Sequence, residues 1–347
     1  MMKFGDFASF RYGKMPIKKK ITESGKYPIY SGYRYVGFYD EYNTEADQLI
    51  IVARGVGGTG DVKLTKDRCY LTNLSIAANI DSNVVLSEYL YYYFKQRSLR
   101  YLDSGSAQSQ ITISDLERVM IPIPPLSDQK AICSYLKLLD GKIQNNKKIN
   151  ENLQQQAQAI FNNKYAPSLC SPNWVVGTIG DVVTLQRGYD LPKDKMVSGS
   201  YPVAGSTDTI FYHNEYTTEA PCVVMGRSGN IGKPRLYMER CWAHNTTLFV
   251  KDFKGNNPYW SYYMLRSIDY SQFRGGSAVP TLNRNHVHSF EISIPPVSQQ
   301  NEFAEIILPL LLLIENNRKE IKRLSTLREA LLPKLMAGEL DVSSIDL

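Results

Sequence analysis

The residues with the most to offer chemically are basic and amide side chains beside glycine-bearing turns. Arg54 closes the run Ile51–Arg54, and Arg227 closes the matching run Val224–Arg227. An arginine at such a strand end can make a bidentate contact with guanine O6 and N7, or with a phosphate. A structural salt bridge is the plain alternative. Two matching loops, Ser104–Gln110 and Arg274–Thr281, are rich in small hydrogen-bonding residues. Such loops can approach a nucleic-acid backbone or base edge closely, and Gln108 and Gln110 carry amides that pair with adenine. A simple surface loop fits the same composition. Lys18, Lys19 and Lys20 form a cationic run suited to phosphate or to solvent. With Arg34, Lys193, Lys233, Arg274 and Arg284, these residues make up the candidate contacts to double-stranded DNA.

Catalytic patterns are missing where they were to be expected. Gly55–Gly60 lacks the Lys-Ser/Thr that completes a phosphate loop, and no G-x-G-x-x-G opens a helix. Its counterpart Gly226–Gly232 points to a turn in which glycine supplies positive φ. Asn257-Pro258-Tyr259 has one proline where the Asn/Asp-Pro-Pro-Tyr signature of amino-methyltransferases has two, so it reads as a helix start. The histidines at 213, 244, 286 and 288 form no H-E-x-x-H, and the cysteines no C-x-x-C, so no metal site is expected. His286 and His288 are spaced to alternate on a strand. No Ser-His-Asp order or carboxylate pair stands out.

The elements that must position these residues come from an internal repeat. Gly25–Ile29 matches Gly199–Val203, Glu41–Ala46 matches Glu215–Ala220, and Arg68–Asn73 matches Arg240–Asn245. The offset drifts only from about 175 to about 171. Within each copy, Gln48–Arg54 and Pro221–Arg227 read as short buried strands, and Asn83–Lys95 and Pro258–Arg266 as short helices. Each copy ends in a long helix. In the first, Ile132, Leu136, Leu139, Ile143, Asn146, Asn150, Leu153, Ala157 and Ile160 fall on one narrow stripe, with Ser127 as its N-cap. The second starts near Ser298 and carries Pro309, which is expected to bend it. Two such seams can pair as an antiparallel coiled coil. Tyr135, Phe161, Phe303 and Leu311 add apolar bulk beyond a strict seam, and exposed patches of that kind mark protein interfaces, so these four are the candidate partner-binding residues.

Composition sets outer bounds. The 347 residues suffice for two domains with real cores, and a net charge of +6 hints at a polyanionic partner. The excess lies in residues 1–170, which hold about 22 Lys and Arg against about 16 Asp and Glu. Five unpaired-looking cysteines without an apolar leader suggest reduced thiols in a cytoplasmic protein. The longest apolar run, Ile306–Ile314, falls short of the roughly 20 residues that span a bilayer, so no membrane association is expected.

The doubled lobe-plus-helix plan resembles the specificity (S) subunit of type I restriction-modification enzymes. The motifs that carry the likeness are Ile121–Gln129, Ile292–Gln300, the helix through Asn145-Asn146, and the ending Leu327–Leu340. The resemblance implies an α+β fold with two similar mixed α/β target recognition lobes separated by two long antiparallel helices. The expected segments are recognition domain 1 over 1–123, the first spacer helix over 124–165, domain 2 over 166–294, and the second helix with its tail over 295–347. It further implies a non-catalytic protein that recognises a bipartite DNA target and scaffolds two methyltransferase (M) subunits and restriction (R) subunits. S-adenosylmethionine, ATP and Mg would then bind on those partners, with no cofactor on this chain. One departure is that the first lobe starts almost at Met1, without a counterpart of Trp174, so its edge is expected to differ. The alternatives are a stand-alone modification or restriction protein of related design, or a structural coiled-coil protein without a DNA role.

Overall fold

The computed structural model describes residues 1–32, 34–55, 58–103, 109–166, 169, 171–273 and 281–340. The chain divides into two compact units. Unit 1 is Met1–Gln144 with Ile321–Leu347, and unit 2 is Asn145–Glu320, so the boundary cuts through both long helices.

Unit 1 runs β1 (Met2–Lys3), β2 (Ala8–Tyr12), β3 (Tyr27–Ser31), β4 (Arg34–Tyr39), β5 (Leu49–Val52), β6 (Val62–Leu64), β7 (Tyr70–Leu71), β8 (Ser75–Ile80), α1 (Ser87–Gln96), α2 (Ile113–Glu117), β9 (Met120–Ile121) and the start of α3 (Leu126–Lys164). Unit 2 follows with β10 (Val175–Thr178), α4 (Ile179–Val182), β11 (Thr184–Arg187), β12 (Ser198–Ala204), β13 (Thr209–His213), β14 (Cys222–Gly226), β15 (Gly232–Tyr237), β16 (Trp242–Ala243), β17 (Thr247–Asp252), α5 (Pro258–Ser267), α6 (Arg284–His288), β18 (Glu291–Ile294) and α7 (Val297–Ala337). The strand orders repeat. A four-stranded sheet β2-β8-β5-β6 answers to β11-β17-β14-β15, and a three-stranded sheet β4-β3-β7 answers to β13-β12-β16. In both small sheets the last pairing is parallel.

Each lobe is closed by the pairing of its first and last strands, β1 with β9 and β10 with β18. An aspartate carboxylate fixes the start of each lobe in the same way: Lys3 N donates to Asp6 Oδ2 at 2.9 Å, and Thr178 N to Asp181 Oδ2 at 2.8 Å. Those two hydrogen bonds explain why an aspartate stands at both position 6 and position 181. Gly13 and Gly188 also match, because a Cβ on either would lie 2.2 Å from a carbonyl oxygen, that of Leu71 or His244.

The central strands are buried because they are apolar on both faces: β5 and β14 are enclosed along their whole length. α1 lies against β5 and β6, and α5 against β15. Asn257 caps α5 by accepting from Tyr259 N and Trp260 N, with Pro258 at its first turn, so Asn257-Pro258-Tyr259 is indeed a helix start.

α3 begins at Leu126, one residue before the expected cap, and Ser127 lies inside the first turn with its hydroxyl on Asp128. α7 is helical through Pro309. The residue that ties each helix to its lobe is a glutamine in the first turn. Gln129 Nε2 donates to the carbonyls of Val84 (3.1 Å) and Pro124 (2.9 Å), and its Oε1 accepts from Leu86 N (2.8 Å). Gln300 Nε2 donates to Asn256 Oδ1 (2.9 Å) and Pro295 O (3.0 Å), and its Oε1 accepts from Asn257 N (2.8 Å). Both side chains are fully buried.

The helices pair antiparallel within each unit. In unit 2, Asn146 Nδ2 donates to Glu320 Oε2 at 2.8 Å, Asn150 Nδ2 to Ile314 O at 3.2 Å, and Asn317 Nδ2 to Asn150 Oδ1 at 2.9 Å. Buried asparagines of this kind fix one register at a cost in stability. In unit 1, Asp140 accepts from Tyr92 on α1 (3.1 Å) and Arg328 on α7 (2.7 Å).

Four sequence assignments change here. Phe161 and Phe303 are fully buried and Leu311 nearly so, all in the core of unit 2. Phe161 meets Phe303 edge-on at 5.4 Å and stacks on Tyr263 at 6.0 Å. Tyr135 is half-buried against the core of unit 1. None forms an exposed patch. Each helix buries one flank on its partner and another on its lobe, so the apolar face is wider than a coiled-coil seam. The large apolar side chains that α3 and α7 do expose include Leu138 (60%), Leu312 (50%), Ile306, Leu313, Leu327 and Ile149.

Gln300→Leu removes the partners of a buried amide and two acceptors, so we expect unit 2 to lose roughly 3 kcal/mol. All three tryptophans lie in unit 2, so urea unfolding followed by tryptophan fluorescence reads it directly. A loss below about 0.5 kcal/mol, the range of neutral surface changes, would show that the glutamine does not hold the helix to the lobe.

Candidate nucleic-acid interface

The end of β5 brings two predicted residues together. Arg54 is exposed and bridges Gln110, while Ile111 N donates to Ala53 O at 2.9 Å and Arg54 N to Leu74 O at 3.2 Å. The Gln110 strand is held in turn by Asp103, whose Oδ1 accepts from Gln110 N at 2.8 Å. Thr59 Oγ1 donates to Gly55 O, and Gly55 and Gly60 take positive φ, which makes the glycines turn residues.

The end of β14 has the same hydrogen bonds, shifted by one residue along the chain. Leu282 N donates to Arg227 O at 2.8 Å, Arg227 N to Thr246 O at 2.9 Å, and the bridge is Ser228 with Thr281. The counterpart of Arg54 is therefore Ser228, and that of Arg227 is Ala53. Val52 pairs with Ser75 where Gly226 pairs with Thr247, which places the same shift in the strands. The expected equivalence of Arg54 and Arg227 is thus corrected. Adjacent side chains of an extended segment face opposite ways, so the two arginines point to different sides of their lobes.

Arg227 instead lines a concavity of about 430 Å³ with Arg187, Leu248, Thr281, Leu282, Asn283 and Arg284. Arg187, at the end of β11, was not singled out from the sequence. Its repeat counterpart is Tyr12, since Tyr12 faces Ile76 as Arg187 faces Leu248, so the repeat gave no signal.

The other predicted cations are spread over the lobes. Lys18, Lys19 and Lys20 form an exposed 3-10 turn, with Lys20 3.9 Å from Glu41. Lys193 opens the corresponding turn, Lys193–Lys195. Arg34 starts β4, paired with Ser31 across the hairpin. Lys233 lines a groove of about 600 Å³ with Arg235, Arg266, Tyr262 and Arg318. Gln108 and Arg274 lie outside the described residues. Two arginines that the repeat does align serve the fold. Arg68 and Arg240 each bond a glutamate, Glu45 or Glu219, at 2.8 Å and stack 4.7 Å from the ring of Tyr42 or Tyr216. Lys63 is half-buried, and burial followed by the neighbouring Lys95 lowers its pKa.

His213, His244 and His288 make hydrogen bonds within the fold of unit 2. His286 and His288 lie on α6, not on a strand. His288 Nε2 accepts from Leu185 N at 2.9 Å, which requires that nitrogen to be unprotonated. Burial first, then Lys254 and Arg284, lowers its pKa, and burial lowers that of His244 against the opposing pull of Asp190. Cys69 and Cys133 are buried thiols pushed up to about 11 and about 12. No cluster able to hold a metal ion and no helix able to cross a membrane occurs among the described residues.

Together these features define a duplicated lobe-and-helix protein whose two copies share a frame and differ in the cations at their strand ends. The family model for the type I restriction modification DNA specificity domain matches it twice, over residues 1–155 and 172–326. The chain belongs to that family. It is 26% identical over 326 residues to the type I restriction enzyme MjaIX specificity subunit of Methanocaldococcus jannaschii, covering 79% of this chain and 74% of that protein. It is 23% identical to the putative type I specificity subunit S.MgeORF438P of Mycoplasma genitalium, covering 93% and 90%. The crystal structure of a type I restriction-modification S subunit from M. genitalium has the same fold, with a TM-score of 0.68 at 19% identity over 96% of this chain and 94% of that one.

Both shifted histidines lie in unit 2, and their folded-state pKa values fall below the ordinary 6.5. The unfolded chain therefore takes up protons that the folded unit does not. Stability is level above about pH 7 and falls as pH drops through 6.5. His288→Gln keeps an acceptor for Leu185 N without titrating. We expect it to flatten part of the loss between about pH 7.5 and 5.5 in tryptophan-monitored urea unfolding. An unchanged pH slope would mean that His288 titrates normally in the folded unit.

Proposed function

We propose that the chain is the DNA specificity subunit of a type I restriction-modification complex, a non-catalytic scaffold that recognises a bipartite double-stranded target. The observation that carries this reading is one lobe frame built twice, matched twice by the specificity model, with different side chains at equivalent strand ends. One frame with two chemistries suits a target made of two unlike halves. Base edges distinguish such halves, and phosphate contacts hold the protein in place on them. α3 and α7 each contribute residues to both units.

The partners are two methyltransferase subunits, which bind S-adenosylmethionine, and restriction subunits, which use ATP and Mg. This chain holds none of these cofactors itself, and the complex works in the cytoplasm. Leu312 and Leu313, exposed on α7 with Ile306, fit the docking of a methyltransferase subunit.

Mapping methylated adenines in cells with and without the gene tests the function. A bipartite motif whose methylation vanishes with the gene is expected. Methyl transfer from S-adenosylmethionine by the purified chain alone would overturn the scaffold reading. The double substitution Leu312→Glu and Leu313→Glu should weaken association with the methyltransferase subunit about 10-fold or more, the equivalent of about 1.4 kcal/mol. Undiminished co-purification would move the docking surface elsewhere.

A further inference from the structure

The concavity lined by Arg187, Arg227 and Arg284 stands apart from the rest of the cationic surface. Three guanidinium-bearing side chains, from β11, the end of β14 and α6, line one space of about 430 Å³. The rest of its lining is Leu248, Thr281, Leu282 and Asn283, with no carboxylate among the described residues. Arg187 Nε donates a long hydrogen bond to Asn245 O at 3.4 Å. Arg227 and Arg284 carry no side-chain hydrogen bond or ion pair to another described residue. The contrast with Arg68 and Arg240, each satisfied by its own glutamate, is direct. Like charges that line one space repel one another, and an anion in the space relieves that repulsion.

The site belongs to unit 2 alone. Its counterparts in unit 1 are Tyr12, Ala53 and Ile113, the last being the first residue of α2 as Arg284 is of α6. All three differences are substitutions at structurally aligned positions, Arg227 standing where unit 1 has Ala53. Unit 1 presents the exposed Arg54 on the opposite side of that segment, beside Gln110.

We propose that Arg187, Arg227 and Arg284 form a phosphodiester clamp that grips the DNA backbone in the half-site of unit 2, with no equivalent in unit 1. This rests on the DNA-recognition role above. The guanidinium fork matches two phosphate oxygens, and Thr281 and Asn283 add neutral donors at the rim. A backbone clamp carries no sequence information, so it anchors unit 2 without restricting the bases it reads. The electrostatic share of binding is then unequal between the two halves of the target.

The test uses the full complex with methyltransferase subunits and a duplex bearing the mapped motif. Fluorescence anisotropy gives affinity across a salt series, for the motif and for a scrambled duplex. Each Arg→Ala change is expected to weaken both duplexes alike and to lower the slope of log affinity against log salt by about 0.9. The triple variant should lower it by about 3. Arg→Lys variants keep the charge and should restore the slope, which separates lost charge from a damaged fold. Neutral methylphosphonate linkages, placed in one half-site at a time, should abolish the difference between wild type and triple variant for one half only. An unchanged slope, or a loss confined to the motif, overturns the clamp. A wild-type complex that prefers no duplex overturns the DNA-recognition role as well, whereas a selective wild type with unaffected variants overturns the clamp alone.

Discussion

A buried glutamine at the start of each long helix is the constraint on which the rest of the structure depends. Gln129 and Gln300 are fully enclosed, and each satisfies three polar groups of its lobe. Two of those groups belong to the segment leading into α1 or α5, and one belongs to the proline pair before the helix. The segments that follow the lobe's last strand and precede its main helix therefore meet the long helix at one side chain. Losing any one contact leaves a buried donor or acceptor unpaired, which costs more than the hydrogen bond itself contributes. This geometry accounts for the recurrence of Pro-Pro followed four residues later by Gln. The prolines stop the helix from starting early, and the glutamine arrives one turn later, facing inward.

Beyond that shared joint, the two units use different chemistry for the same task. In unit 1, α1, α3 and α7 meet at Asp140, with Tyr92 and Arg328 as donors. In unit 2 the corresponding position is Leu311, packed with Ala157, Phe161 and Tyr263. A half-exposed ion pair of this kind adds modest stability but specifies geometry, whereas the aromatic cluster gains mainly from burial. The polar pairing of Asn146, Asn150 and Asn317 adds register where the helices of unit 2 are otherwise free to slide.

Much of this architecture was legible from residue order. The repeat, the strand-rich lobes, the paired long helices and the helix start at Asn257 follow from spacing and turn residues alone. The inward-facing bulk was not. Phe161, Phe303 and Leu311 look superfluous on a coiled-coil wheel because the wheel omits the lobe that packs on the helix's second flank. Ser127 looks like a cap, yet Pro125 already restricts the preceding residue and the helix opens at Leu126. Gly13 and Gly188 were invisible because their need is a close carbonyl from a distant segment, not a turn. Arg187 was missed for a related reason: its partners are brought together by three separate elements, and a repeat comparison weights positions that match.

The one-residue shift between Arg54 and Arg227 shows how a duplicated frame can diverge without rebuilding its core. Sequence alignment pairs the two arginines because Ile-Val-Ala-Arg and Val-Met-Gly-Arg look alike. Hydrogen bonds to Leu74 and Thr246 pair Arg54 with Ser228 instead. The structural offset is constant from Glu41 and Glu215 through Val52 and Gly226 to Arg54 and Ser228, so the units differ in which position carries the arginine, not in strand register. An arginine placed one position earlier or later in an extended segment faces its other side, in a single step that leaves the paired interior intact. In unit 2 that step sets Arg227 beside Arg187 and Arg284. In unit 1 it leaves Arg54 beside Gln110. Two lobes of common design can therefore meet different stretches of the same polymer.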